Sequence, residues 1–363
     1  MKTITTCTMR ILFLIIPLYL VSQVAFCQDK QTKKFKEVYP ATKNTLLQLN
    51  NKYGNIDIRD WDKNEISVEV TIVLENVSIQ RAEQIFDKVN IDFSTDGDVI
   101  SVETNYDEEF FRMVNKDQFL QEKKFEVNYL VMMPANVKTE TMNKYGNIFI
   151  NKLASASTIQ LKYGTLKINQ ILAKDKDNMA LIDLAYSKGT IEDCEWLKLL
   201  TKYSQLSIEK SKALIIISKY SKLNIEKGSS LICESKYDSY DIGELVNFVT
   251  DAQYSNFHFE EITRKIDLET KYTDIKVMKV PAGFESIDIE NSYGSIRIYI
   301  DPSASYTLKG HAKYAKINYP DNNRVNRIQE NSELSVEGTV GKTGTGSGKV
   351  RIETKYGGIT LQQ

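Results

Sequence analysis

A short string recurs along this chain at a nearly constant interval. Lys-Tyr-Gly/Ser-x-Ile/Leu-x-Ile is seen as KYGNIDI from Lys52, KYGNIFI from Lys144, KYGTLKI from Lys162, KYSQLSI from Lys202 and KYSKLNI from Lys219. Weaker copies complete a series of marker tyrosines: Tyr53, Tyr145, Tyr163, Tyr186, Tyr203, Tyr220, Tyr237, Tyr254, Tyr272, Tyr293, Tyr314 and Tyr356. From Tyr186 to Tyr254 the step is 17 residues four times running, and the flanking steps are 18, 23, 18, 21 and 21. A period this short is too small for a helix-pair repeat or a propeller blade. It fits one coil of a β-solenoid. The last step, Tyr314 to Tyr356, is 42 residues, which reads as two periods with one tyrosine lost.

Within each coil, apolar residues alternate with period 2, the signature of a half-buried strand. Counting from the tyrosine, they fall at −6 and −4 (Leu197, Leu199; Ile266, Leu268), with a small polar residue at −2 (Thr201, Thr270). After the tyrosine they fall at +3 and +5 (Leu206, Ile208; Leu223, Ile225). The change of parity predicts a corner at the tyrosine, for which Gly or Ser at +1 is suited. Each coil is then two short strands with −4, +3 and +5 inside. Coils stacked about 4.8 Å apart would place like on like. Pointing outward, the tyrosines would be sugar-stacking platforms; the shared parity with −4 and −6 favours an internal aromatic ladder instead. No proline occurs between Pro134 and Pro281, as interior strands require.

The expectation is therefore an all-β chain, a single-stranded parallel β-helix or solenoid with 17–21-residue coils, right-handed as parallel crossovers are. Its parts are a signal peptide over 1–27, first solenoid strands over 28–59, a small α+β insertion over 60–133 and the solenoid proper over 134–363. The insertion reads as strand Ile66–Leu74, a helix capped at Ser78, then strands near Ile91–Phe93, Val99–Thr104 and Phe125–Met132. It would cap an open sheet end. Residues Gly338–Gly348 read as a flexible Gly/Thr loop.

Lys2 and Arg10 precede the apolar run Ile11–Leu20, and Ala25-Phe26-Cys27 offers a cleavage site, the pattern of a secretory leader. Phe26 is too large for a lipobox, so simple cleavage is preferred over a lipoprotein at Cys27. No later apolar run is long enough for a transmembrane anchor. Of four cysteines, Cys194 and Cys233 remain after the leader; they lie at different phases of the repeat, so a disulfide is not expected.

The KYGNIDI start followed by Arg59-Asp60-Trp61-Asp62, the alternating strand after it, the helix at Ala82 and the repeated Tyr-Gly-x-Ile-x-Ile coils resemble the bacterial putative adhesin family, exported β-solenoids of unknown function. The resemblance covers essentially the whole chain after the leader. It implies a cell-envelope interaction or structural module and supplies no catalytic residues.

Composition points the same way. With 47 Lys+Arg against 48 Asp+Glu there is no basic excess for nucleic acid, and two histidines leave little for catalysis or metal binding. No catalytic residue, cofactor or metal site is assigned. Asp96/Asp98, Asp107/Glu108/Glu109 and Asp175/Asp177 are too sparse for calcium and read as turn and loop acids. GTGSGK at 344–349 lacks the spacing and the following helix of a phosphate loop. The one candidate surface is a column of lysines at −1, including Lys162, Lys202, Lys219, Lys236 and Lys271. It reads either as a stripe for an anionic polysaccharide or as a solvated edge offset by acids at +6 such as Glu192, Glu209 and Glu226. Another envelope protein is the other partner considered, in binding or sensing. A polysaccharide-processing enzyme on a β-helix is the rival activity.

Overall fold

The computed structural model describes residues 30–116, 125–173, 176–320, 324–341 and 348–363. The leader reading, Cys27, Asp175 and positions 342–347 of the Gly/Thr loop lie outside them. The described chain is all-β apart from two short helices, with 26 strands hydrogen-bonded into one long, unclosed sheet.

The middle of the sheet consists of Lys188–Lys202, Gln205–Lys219, Lys222–Lys236, Ser239–Gln253 and Asn256–Lys271, each paired in parallel with the next. Lys202 lies beside Lys219, Lys219 beside Lys236 and Lys236 beside Gln253, so the ladder advances by one tyrosine period. In place of two short strands, one strand of 15 residues runs from corner to corner. Burial along Gln205–Lys219 falls at Leu206, Ile208, Ser211, Leu214, Ile216 and Ser218. The two three-residue gaps mark bends at Glu209–Lys210 and Lys212–Ala213 that the period-2 reading passed over. They add an inward column, Cys194 beside Ser211 beside Gly228 beside Leu245 beside Ile262.

Like stacks on like in the core: Leu206 on Leu223 on Tyr240 on Phe257, and Ile208 on Ile225 on Ile242 on Phe259. Leu223 is 1% exposed whereas its neighbour Lys222 faces solvent. Leu223→Ala should therefore cost about 2–4 kcal/mol, by lost burial plus the cavity left behind. Lys222→Ala should cost under about 0.5 kcal/mol. Denaturant melts that gave the two variants equal costs would refute the inward phase. Cys194 and Cys233 are buried free thiols in different columns, and burial pushes each pKa up to about 12.

The tyrosines reverse the expectation of an internal ladder. All twelve have φ between 51° and 65° and, apart from the half-buried Tyr53, they are exposed. The parity argument assumed extended backbone through the corner. A left-handed residue turns its Cβ away from that alternation, so the ring swings outward. Each such φ costs a non-glycine residue roughly 1 kcal/mol.

The ends of the sheet depart from sequence order. Strand Gly348–Lys355 inserts between Ser286–Ser292 and Tyr306–Lys313, in parallel with both. Tyr356 accordingly stacks between Tyr293 and Tyr314. No tyrosine has been lost; the 42-residue step spans a hairpin, Val325–Glu330 and Glu333–Val340, laid antiparallel on Tyr306–Lys313. Gly338–Val340 belong to that hairpin and not to a loop.

At the other end Val99–Tyr106 and Phe125–Met133 pair in parallel with Leu46–Lys52 and Ile56–Asp60. Helix α1, Ile79–Phe86, starts where expected, with the Ser78 hydroxyl accepting from the Arg81 N–H. A second helix, α2, Glu108–Lys116, was not expected. Glu108 and Glu109, read as loop acids, form its first turn, where carboxylates suit the helix N-terminus. Phe110 and Val114 are its buried anchors. Asp96 and Asp98 do flank a hairpin turn, at Gly97 with φ 58°.

Candidate functional site

The corner residues build one continuous external feature. The rings stack from Tyr53 through Tyr145 and on to Tyr293, Tyr356 and Tyr314, with centroids 4.8–5.4 Å apart and planes within 18° of parallel. Stacked aromatic pairs contribute about 0.5–1.5 kcal/mol each, comparable to the backbone cost at each corner. The Tyr53 end is closed by the edges of Tyr106 and Phe111. Between the end rings Tyr53 and Tyr314 both faces of each ring are taken by its neighbours, which leaves edges and phenol hydroxyls for anything outside.

Lys162, Lys202, Lys219, Lys236 and Lys271 lie exposed along this column. The ammonium groups of Lys202, Lys219 and Lys236 sit 5.6–5.7 Å from the ring centroid of the following tyrosine, within cation–π range, and that of Lys162 sits 5.3 Å from Tyr163. Glu192 does not offset the column: it pairs with Lys167 at 3.5 Å. Other acids on the bent side of the coils pair with lysines there, Asp193 with Lys210 and Glu244 with Lys227. Among the described residues none of the five column ammonium groups has a carboxylate oxygen within 4 Å. The column is interrupted by Ala185, Gln253 and Ser292.

On the opposite side of the rings runs a groove that sequence reasoning missed. One stretch of about 790 Å³ is lined by Tyr53, Tyr145, Tyr163 and Tyr186 with Asn147, Thr165 and Lys188. The adjoining stretch of about 630 Å³ is lined by Tyr203, Tyr220, Tyr237 and Tyr254 with Gln205, Lys222, Ser239 and Asn256. The residues at +1 also line it, and they come in two blocks. Gly54, Gly146 and Gly164 stack backbone on backbone: a Cβ on Gly146 would lie 1.8 Å from the Gly54 carbonyl oxygen. From Ser187 to Ser255 the +1 amides donate to the next +1 side chain: Ser187 N–H to Ser204 Oγ at 3.1 Å, Ser204 to Ser221 at 3.3 Å, Ser221 to Asp238 Oδ1 at 2.7 Å, Asp238 to Ser255 at 3.2 Å and Ser255 to Thr273 at 3.4 Å.

His258 bonds Glu260 at 3.1 Å, and His311 Nδ1 lies 3.3 Å from Ser335 Oγ. Among the described residues no three His, Cys, Asp or Glu side chains are arranged to hold a metal ion, and no helix is long and apolar enough to cross a membrane.

No family model and no curated protein matches the chain. Among solved structures, it is similar to a putative cell adhesion protein from Clostridium sporogenes (12% identity, 91% of this chain and 100% of that one, TM-score 0.17). It is also similar to a putative adhesin from Bacteroides fragilis (9%, 91% and 97%, TM-score 0.28) and a putative lipid binding protein from Parabacteroides distasonis (9%, 92% and 97%, TM-score 0.30). Likenesses at these TM-scores carry no argument about fold or activity.

Proposed function

We propose that this chain is an exported, non-enzymatic β-solenoid of the cell envelope that works as an adhesin-like interaction module. The leader pattern over 1–27 supports export. Parallel pairing that advances by one tyrosine period supports coils of 17–21 residues wound into a parallel β-helix. The observation that carries the reading is the corner itself. One tyrosine and, in most coils, one lysine are presented outward every coil, on a backbone that would prefer glycine or asparagine there. A surface that repeats one chemical pattern binds weakly at many equivalent points, and avidity supplies the affinity.

The unpaired lysines favour an anionic polysaccharide as the partner. Replacing Lys202, Lys219 and Lys236 together by Gln should lower retention on anionic envelope polysaccharide severalfold and flatten its salt dependence. The melting temperature should not move, because these ammonium groups are exposed. Retention equal to that of the unmodified chain would show that the column is only a solvated edge.

A further inference from the structure

We propose that the groove beside the tyrosine column holds an extended polyuronate lying along the stacking axis, about one sugar residue per coil, gripped edge-on by hydrogen bonds. This deepens the reading of the chain as a polysaccharide-binding module and rests on it.

The stretch of about 630 Å³ carries a set of exposed polar groups that are not tied up within the fold. The side chains of Gln205, Lys222, Ser239 and Asn256 line it and make no hydrogen bond among the described residues. The phenol groups of Tyr203, Tyr220, Tyr237 and Tyr254 on the facing wall make none there either. Each coil of this stretch therefore offers one phenol from one wall and one amide, hydroxyl or ammonium group from the other. Exposed polar groups without internal partners are what a hydroxyl-rich ligand needs, because its own hydrogen bonds to water must be replaced.

The stack decides how a sugar can be held. Stacking a pyranose on a tyrosine requires a free ring face, and the neighbours 4.9–5.0 Å away already fill both faces of Tyr203, Tyr220 and Tyr237. Recognition therefore passes through ring edges, hydroxyls and the facing polar wall. The period decides how the ligand lies. Eight tyrosines line the two stretches, so the groove runs for seven steps of about 5 Å, roughly 35 Å at the spacing of stacked strands. One pyranose in an extended chain is about as long as one coil is tall, so each sugar meets one tyrosine edge and one polar side chain of the facing wall.

The charge decides the class of glycan. Lys188 and Lys222 stand in the wall, and the lysine column lies on the far side of the same rings. Glu126, at one end, and the hydrogen-bonded Asp238 are the acids that line the two stretches. The lysine column beside the groove, together with Lys188 and Lys222 in its wall, favours a carboxylate-bearing glycan over a neutral glucan.

The test is titration of the purified chain with oligogalacturonates of increasing length, beside a neutral glucan and single-stranded DNA. Affinity should climb with oligomer length until the groove is filled, while the glucan and the DNA bind at least about tenfold more weakly. Ser239→Trp fills the groove from an exposed position. It should cut oligogalacturonate affinity about tenfold with the melting temperature unchanged, and the double variant Gln205→Ala/Asn256→Ala should weaken it in the same direction. Unaltered binding by Ser239→Trp and by the double variant would overturn the groove assignment. Equal binding of DNA would reduce the site to unspecific charge and overturn it too. If envelope polysaccharide is retained through the lysine column while oligogalacturonates are not bound, the inference fails and the proposed function stands. If neither is retained, both fail.

Discussion

Gly146→Ala is expected to destabilise the protein by about 3 kcal/mol or more, although it adds a single methyl group. In most settings the same change is mildly stabilising, because alanine restricts the unfolded chain. Here the added Cβ would lie 1.8 Å from the Gly54 carbonyl oxygen, 2.6 Å from its carbon and 2.9 Å from its nitrogen. Those atoms are backbone, and this part of it is anchored in the ladder: the Tyr53 N–H donates to the Lys144 carbonyl and the Ile56 N–H to the Asn147 carbonyl. The contact can be relieved only by parting two coils. The Gly164 position repeats the arrangement against Gly146, so a shift at one corner is passed to the next. Gly358→Ala is the matched control, since a Cβ there meets nothing within 4 Å, and it should change stability by less than about 0.5 kcal/mol. Denaturant melts of the two variants decide the matter. A Gly146→Ala protein within about 1 kcal/mol of the unmodified chain would mean that the glycine corners are not close-packed.

How much of this was legible in the sequence follows from which signals are periodic. The inward positions Leu206, Leu223 and Ile225 announce themselves because their two columns are apolar in every coil. The helix cap at Ser78 is readable because capping is local. The direction of the tyrosine rings was not readable, since alternation tells inside from outside only while the backbone stays extended. The place of Tyr356 was not readable either: a 42-residue step is equally consistent with a lost copy and with a strand that pairs out of order. Helix α2 was hidden because Phe110 and Val114 stand among acids that look like a loop. The lysine column was visible as a repeated letter. The groove wall was not, because Lys188, Gln205, Lys222, Ser239 and Asn256 share polarity and exposure but no single residue type. The contrast between Tyr-Gly and Tyr-Ser corners was present in the letters. Only the stacking order shows its meaning, namely that Gly54, Gly146 and Gly164 form one block and the hydrogen-bonded corners from Ser187 to Thr273 another.

Asp238 takes a serine's place in the second block, and its replacement should have the other large effect. Its carboxylate is 4% exposed. Oδ1 accepts from the Ser221 N–H at 2.7 Å; Oδ2 accepts from Ser218 Oγ at 2.7 Å, Ser235 Oγ at 2.8 Å and the Lys236 N–H at 2.9 Å. Four donors converge on one buried group that has no lysine or arginine side-chain nitrogen within 4 Å among the described residues. Asp238→Ala would leave all four to find other acceptors. The two hydroxyls have them nearby, Ser218 Oγ at 2.6 Å from the Tyr240 hydroxyl and Ser235 Oγ at 2.8 Å from Ser255 Oγ. The two backbone amides have none, and buried amides without acceptors cost about 1–3 kcal/mol each. The expected loss is therefore about 3–5 kcal/mol, with the lost packing of the side chain included. Asp238→Ser restores the residue used at the neighbouring corners of Ser204 and Ser221, whose Oγ accepts from the preceding amide. It should recover most of the loss, leaving a cost under about 1.5 kcal/mol. Equal destabilisation by Ala and Ser would show that the carboxylate's charge, and not the continuity of the hydrogen-bonded column, is what this corner requires.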